Sequence, residues 1–182
     1  MAPRPSAGPC ARHNAVMRVS AKADYAVRAA AELAAADGRG VPMKRDQIAS
    51  AQAIPAKFLE AILLDLKHAG IIKSHRGAEG GYALARPPED ISIADVIRAV
   101  DGPMATVRGE RVETVEYSGP ATSLRDVWVA VRASLRRVLE STSLADLVDG
   151  ELPRAVVDLT HDPEAYISMN RRRRSPADAP EE

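Results

Sequence analysis

Residues 51–85, AQAIPAKFLEAILLDLKHAGIIKSHRGAEGGYALA, carry the signals that decide the fold. Ala51-Gln52-Ala53 serves as a tight turn, and Pro55 suits the first turn of a helix that runs to Ala69 and stops at Gly70. Around that helix Phe58, Leu59, Ile62, Leu63, Leu66 and Ala69 share one side, while Lys57, Glu60, Ala61, Asp65, Lys67 and His68 share the other. Leu64 lands on the polar side, where it either packs against the next segment of the chain or meets a partner; packing is the favoured reading. Two short β-prone runs come next, Ile71 to His75 and Tyr82 to Ala85, separated by Arg76-Gly77-Ala78-Glu79-Gly80-Gly81. Glycines at 77, 80 and 81 let the backbone reverse without side-chain clashes, so residues 71–85 read as a hairpin that Arg86-Pro87-Pro88 ends.

Outward from this stretch the pattern is mostly helical. Ser20 is an N-cap candidate for a helix over Ala21–Ala36 that ends at Asp37-Gly38-Arg39-Gly40, and Met43–Ser50 reads as a second, short helix. Ser92 caps a fourth helix with apolar positions at 93, 96, 97 and 100, closed by Asp101-Gly102-Pro103. Residues 104–122 have no clear period and read as a long loop. From Ser123, Leu124, Val127, Trp128, Val131, Leu135, Val138 and Leu139 recur at three- and four-residue intervals, the longest amphipathic pattern in the chain. A short helix over Leu144–Val148 comes after it. Residues 1–16 and most of 151–182, including the run Arg171–Arg174, are expected to be disordered.

Composition narrows the function classes. Apolar residues make up 46% of the 182 and aromatics only 3%, so the interior is built from Ala, Val, Leu and Ile, which favours helices. Lysine plus arginine number 25 and aspartate plus glutamate 25, so no global charge draws the chain to nucleic acid and any such affinity must be local. One cysteine, Cys10, excludes an internal disulfide and a multi-cysteine metal site within the chain. No run of about 18 apolar residues marks a membrane span, and a cytoplasmic address follows by default. No spacing of Ser, His and Asp suggests a nucleophile with its base, so the chain does not read as an enzyme. Cys10 and His13 could touch one metal, but two ligands do not make a site.

Three helices, the third behind a tight turn and before a glycine-tipped hairpin, give the order of a winged helix-turn-helix. The major groove admits one α-helix, and the polar side of the third would supply its contacts. Lys57 suits phosphate or a guanine edge, Glu60 a cytosine amino group, and Arg76 at the hairpin tip a narrow minor groove. The glycine-rich tip also invites comparison with a phosphate-binding loop, but it lacks the Lys-Ser/Thr ending and the following helix of one.

Residues Met17–Arg28, Ile54–Glu60, His75–Tyr82 and Val96–Pro103 closely resemble the signature segments of the Rrf2 family of bacterial transcription regulators, in unbroken order over about 17–150. The resemblance implies a mainly α fold with a small β-hairpin wing and a long C-terminal dimerisation helix. It divides the chain into a DNA-binding domain over 17–103, with the helix-turn-helix at about 45–68, a sensor-type loop over 104–122, and a dimerisation segment over 123–150. It implies a homodimer on a pseudo-palindromic double-stranded DNA operator, acting as a repressor. Carried over by position, Pro55, Ala56, Lys57 and Glu60 in the recognition helix, and His75, Arg76, Gly77, Gly80 and Gly81 in the wing, become the DNA-contacting set. Ser20, Lys22 and Tyr25 fall where the family meets the backbone. The seven apolar positions from Leu124 to Leu139 become the dimer contact. Cluster-binding members carry three cysteines in the loop, as thiolates hold iron–sulfur centres. Residues 104–122 have none, so the clusterless branch is the nearer analogue and an iron–sulfur cofactor is not expected. Glu110, Glu113, Glu116 and Tyr117 read there as a solvated face. A small-molecule or protein effector, a dimeric protein-interaction module that has lost DNA binding, and a ligand- or metal-sensing regulator using residues 104–122 are the remaining readings.

Overall fold

A computed structural model describes residues 19–38, 40–77 and 80–166. Cys10, His13 and the run Arg171–Arg174 lie outside the described residues. The fold is mainly helical with a small antiparallel wing.

Helix α1 spans Ala21–Asp37, its first turn closed by the Ser20 side chain accepting from the Ala23 N–H at 2.9 Å. Its buried face is almost all alanine, at 23, 26, 29, 30 and 34, with Leu33. Small side chains let neighbours approach closely, and α1 packs against every other helix of the head. Helix α2 is Arg45–Gln52, and Ala53 at its C-cap takes the left-handed conformation with φ 51°, which turns the chain sharply into α3, Ala56–His68. Strands β1, Ile72–His75, and β2, Gly81–Leu84, pair antiparallel with Ile72 opposite Leu84 and His75 opposite Gly81.

Helix α4, Ile93–Asp101, begins with a reciprocal box in which Ser92 and Asp95 each accept the other's backbone N–H. Past residues 102–123 comes α5, Leu124–Ser141, and then α6, Leu144–Asp149. Two backbone bonds of 2.9 Å, from the Ile93 N–H to the Thr142 carbonyl and from the Leu144 N–H to the Ile91 carbonyl, return the chain to the head. Leu144 is fully buried in the same core as Leu33, Ile48, Leu59, Ile62, Leu66 and Ile91. Residues 142–149 therefore complete the head, whereas the sequence reading groups them with the dimerisation helix.

Four expectations are corrected. Met43 is no part of α2: its N–H donates to the Tyr82 carbonyl at 2.9 Å and its carbonyl accepts from Tyr82 at 2.8 Å, adding a third strand-like segment to the wing. On α3, Leu59, Ile62, Leu63 and Leu66 are buried, but Phe58 is 54% exposed and Ala69 is exposed. Residues 104–122 are not a bare loop. Strands β3, Thr106–Val107, and β4, Glu110–Arg111, form a hairpin, a 3-10 turn covers Gly119–Ala121, and Val112 and Val115 are buried. Within 151–166, helix α7 spans Arg154–Thr160 with none of its side chains buried, where disorder was expected.

Candidate nucleic-acid interface

The polar side of α3 and one face of the wing bound a groove of about 470 Å³, lined by Lys57, Glu60, Ala61, Leu63, Leu64, Lys67, Ser74 and Tyr82. Buried Leu59, Ile62, Leu63 and Leu66 fix the rotation of α3, and this leaves Lys57, Glu60, Ala61, Leu64 and Lys67 exposed. Leu64 lines the groove while 52% exposed, so it is not sealed by the wing as the packing reading requires. Pro55 caps α3 and is exposed, as is Ala56. Strand alternation divides the wing. Ser74 faces the groove, whereas His75 lines the opposite cleft with Lys73, Val41 and the end of α1.

The three wing glycines are there for two different reasons. Gly77 has φ +104°, which only glycine adopts without strain, and it follows exposed Arg76. Gly80 and Gly81 are demanded by close approach: a Cβ on Gly80 would sit 2.5 Å from the His75 carbonyl oxygen, and one on Gly81 2.4 Å from that of Met43.

The start of α1 also carries contacts within the chain that the sequence alone does not show. The Lys22 ammonium lies 2.7 Å from the Asp65 carboxylate of α3 and donates to the Val100 carbonyl of α4 at 2.8 Å, so it braces three helices. Ser20, besides capping, donates to Asp101 at 2.6 Å. Tyr25 is half-buried, tilted against Phe58 at 6.1 Å, with Arg28 5.6 Å over its ring. Arg28 also bonds Gln52, Nε to Oε1 at 3.0 Å, and thereby ties α1 to the turn before α3. Lys67, Ser74 and Tyr82 are groove residues that sequence reasoning did not select. The 3.6-residue spacing of Lys57, Glu60, Leu64 and Lys67 was the signal for the first of them.

A braced three-helix head, an outward α3 and a three-segment wing are the parts of a winged helix-turn-helix. The family model for Rrf2, described as iron-dependent transcriptional regulators, matches residues 19–150. The chain belongs to the Rrf2 family. It is 54% identical over 152 residues to Rv1287 of Mycobacterium tuberculosis, named as an HTH-type transcriptional regulator, covering 84% of this chain and 94% of that one. It is 37% identical over 138 residues to the HTH-type transcriptional regulator CymR of Bacillus subtilis, covering 74% and 94%. Among solved structures it is similar to B. subtilis CymR, described as the global cysteine regulator, with TM-score 0.63 at 34% identity over 74% of this chain and 98% of that one. IscR of T. potens aligns with TM-score 0.60 at 34% identity, covering 73% and 87%. These Rrf2 relatives are transcriptional regulators, not enzymes, and this chain is an Rrf2-family transcriptional regulator of the helix-turn-helix type. Among the described residues no helix is long and apolar enough to cross a membrane.

The iron in the Rrf2 family description meets an unsuitable donor set here. An iron–sulfur centre needs thiolates, and residues 102–123, which join α4 to α5, contain neither cysteine nor histidine. Among the described residues no three His, Cys, Asp or Glu side chains gather to hold a metal ion. Glu113 and Tyr117 of the loop have other tasks. Glu113 accepts from Arg132 of α5 and, at 2.7 Å, from Arg111. Arg132 first, then the residue's own backbone N–H and Arg111, lower its carboxyl from 4.5 to about 2. Tyr117 accepts from the Trp128 indole N–H at 3.1 Å.

Proposed function

We propose that this regulator binds a pseudo-palindromic DNA operator as a homodimer, represses by occupying it, and works in the cytoplasm without an iron–sulfur cluster. The observation that carries the reading is the groove between α3 and the wing, with Lys57, Glu60 and Lys67 on one wall, Ser74 on the other, and Arg76 exposed at the tip. A helix fits the major groove with its polar flank to base edges, while a cation at the wing tip reaches the adjacent minor groove. Lys57 and Lys67 would position the head on phosphate and Glu60 would favour cytosine. Pro55, Ala56 and Gly77, Gly80 and Gly81 shape the two contact edges, and His75 lies on the far face of the wing. Lys22 belongs to the scaffold in this reading, and Ser20 and Tyr25 reach the backbone only from the edge of α1.

Dimerisation is supported by α5. None of its 18 residues is buried, yet Leu124, Val127, Trp128, Val131, Leu135, Val138 and Leu139 form one apolar stripe. Absence of a cluster is supported by the donor set.

The test is an electrophoretic shift with promoter fragments over a salt series. A sequence-selective, salt-sensitive complex is expected, and Arg76→Ala should weaken it by about 1–3 kcal/mol while leaving the oligomeric state unchanged. Unchanged affinity in that variant removes the wing contact, and no complex at low salt removes DNA binding altogether. Anaerobically purified protein should be colourless and still shift the operator.

A further inference from the structure

Beneath the head, α4, the hairpin β3–β4 and α5 enclose a half-open cleft of about 560 Å³. Four arginines from those three elements line it: Arg98, Arg111, Arg132 and Arg136. Two carboxylates answer them. Glu113 bridges Arg111 and Arg132, and Glu140 bridges Arg98 and Arg136, the latter at 2.9 Å. Asp95, which is not in the cleft lining, touches Arg98 at 3.4 Å and is shared with Arg86 at 3.8 Å. The cleft therefore holds four guanidiniums against two carboxylates, an excess of two positive charges.

Among the described residues only Glu113, Glu140 and Asp95 pair with these four guanidiniums. Guanidinium does not deprotonate, and four of them carry about 20 N–H donors against about eight lone-pair sites on two carboxylates. Confining like charges in a recess lined elsewhere by Met104 and Thr106 raises the local potential and concentrates anions. The volume exceeds what one inorganic ion fills and lies within the range of small-ligand sites, about 300–1,000 Å³.

We propose that this cleft is the effector site and takes a small organic anion of two or more negative charges, a di- or tricarboxylate or a phosphorylated metabolite, held by bidentate bonds from Arg132 and Arg136 with Arg98 and Arg111 closing around it. The effector role rests on the DNA-binding reading above; the anion site does not. Arg98 stands on α4, which packs on α1 and α3, while Arg132 and Arg136 stand on α5. An anion clamped between them couples the head to the long helix, and by linkage the operator and the anion change each other's affinity by one factor.

The experiment is calorimetric titration of the full chain, without DNA, with citrate, succinate and glucose 6-phosphate at constant ionic strength set by chloride. Saturable binding is expected, falling roughly ten- to a hundredfold in Arg132→Gln/Arg136→Gln and in Arg111→Gln, whose side chain is 68% exposed. Arg125→Gln, on exposed α5 surface outside the cleft, should bind as the wild type. Response to citrate and succinate alone assigns carboxylates, response to glucose 6-phosphate alone assigns phosphoryl groups, and response to both supports the shared chemistry. No saturable heat with any probe, or equal affinity in all variants, overturns the site. Binding that leaves operator affinity unchanged in the shift assay overturns its effector role, and a failure of operator binding alone, with anion binding intact, falls on the DNA reading instead.

Discussion

Gly81 is confined by backbone: the Met43 carbonyl oxygen would lie 2.4 Å from any Cβ placed there, and that carbonyl is also the acceptor of the Tyr82 N–H. Neither atom can withdraw without losing the strand-like bond that joins residues 42–43 to the wing. Gly81→Ala should therefore destabilise the protein by about 1–3 kcal/mol, the usual range for overpacking, through loss of that third segment. Hydrogen exchange checks it: the Met43 and Tyr82 amides should lose protection while α1 amides keep theirs, and retained protection at Met43 would refute the account. The sequence makes the glycines visible but not their reasons. It suggests a turn requirement for all three, and that requirement holds for Gly77 and for Gly80, whose crowding neighbours His75 and Gly77 belong to the same turn, but not for Gly81, because close approach between residues 38 positions apart leaves no local signature. The structural part of Lys22 is hidden for the same cause. Its partners Asp65 and Val100 are distant in the chain, so nothing beside it in the sequence shows that it ties three helices together.

At the scale of elements, the segment joining α4 to α5 owes its shape to contacts with α5. Glu113 holds Arg132, and the Tyr117 hydroxyl accepts from Trp128, the chain's single tryptophan. Glu113 is held at about 2 against an ordinary 4.5, so its contribution is complete above pH 4.5 and is lost as pH falls toward 2. Trp128 emission should accordingly change across that window as the segment detaches. Glu113→Gln should show the altered emission already at neutral pH and a flatter acid titration, whereas emission equal to wild type would mean that Tyr117 docks without the ion pair. Periodicity reveals α1, α3, α4 and α5 to within about two residues because the first three each bury a repeating face and α5 carries a repeating apolar stripe. It is blind to β3 and β4, whose two-residue strands carry no period, and to Val112 and Val115, two isolated buried valines that form no repeating pattern. Helical spacing also draws Met43 into α2, since a single strand-like residue cannot display alternation.

For the whole molecule, the decisive surface is the apolar stripe of α5, which the proposed dimer would cover. The core of the head draws on α1 to α4, the wing and Leu144, with Leu139 the one α5 residue packed against it, so most of α5 contributes little to folding the head. Val127 is 52% exposed and Val131 half-buried on the apolar stripe, outside that core. The stripe is legible from sequence spacing, but what covers it is not, because the isologous contact of the proposed dimer would be written once and used twice. Val127→Asp/Val131→Asp places two charges where a second stripe would lie, and should yield a folded monomer by sedimentation with an unchanged helical circular-dichroism spectrum. Two heads joined across α5 bind their half-sites at high effective concentration, so the monomer should lose roughly a hundred- to ten-thousandfold in operator affinity, far more than Arg76→Ala. Binding to a half-site should match between the variant and wild type, since α3 and the wing are untouched. A charged double variant that still sediments as a dimer would place the contact elsewhere than α5, and a monomer with undiminished operator affinity would mean that one head suffices.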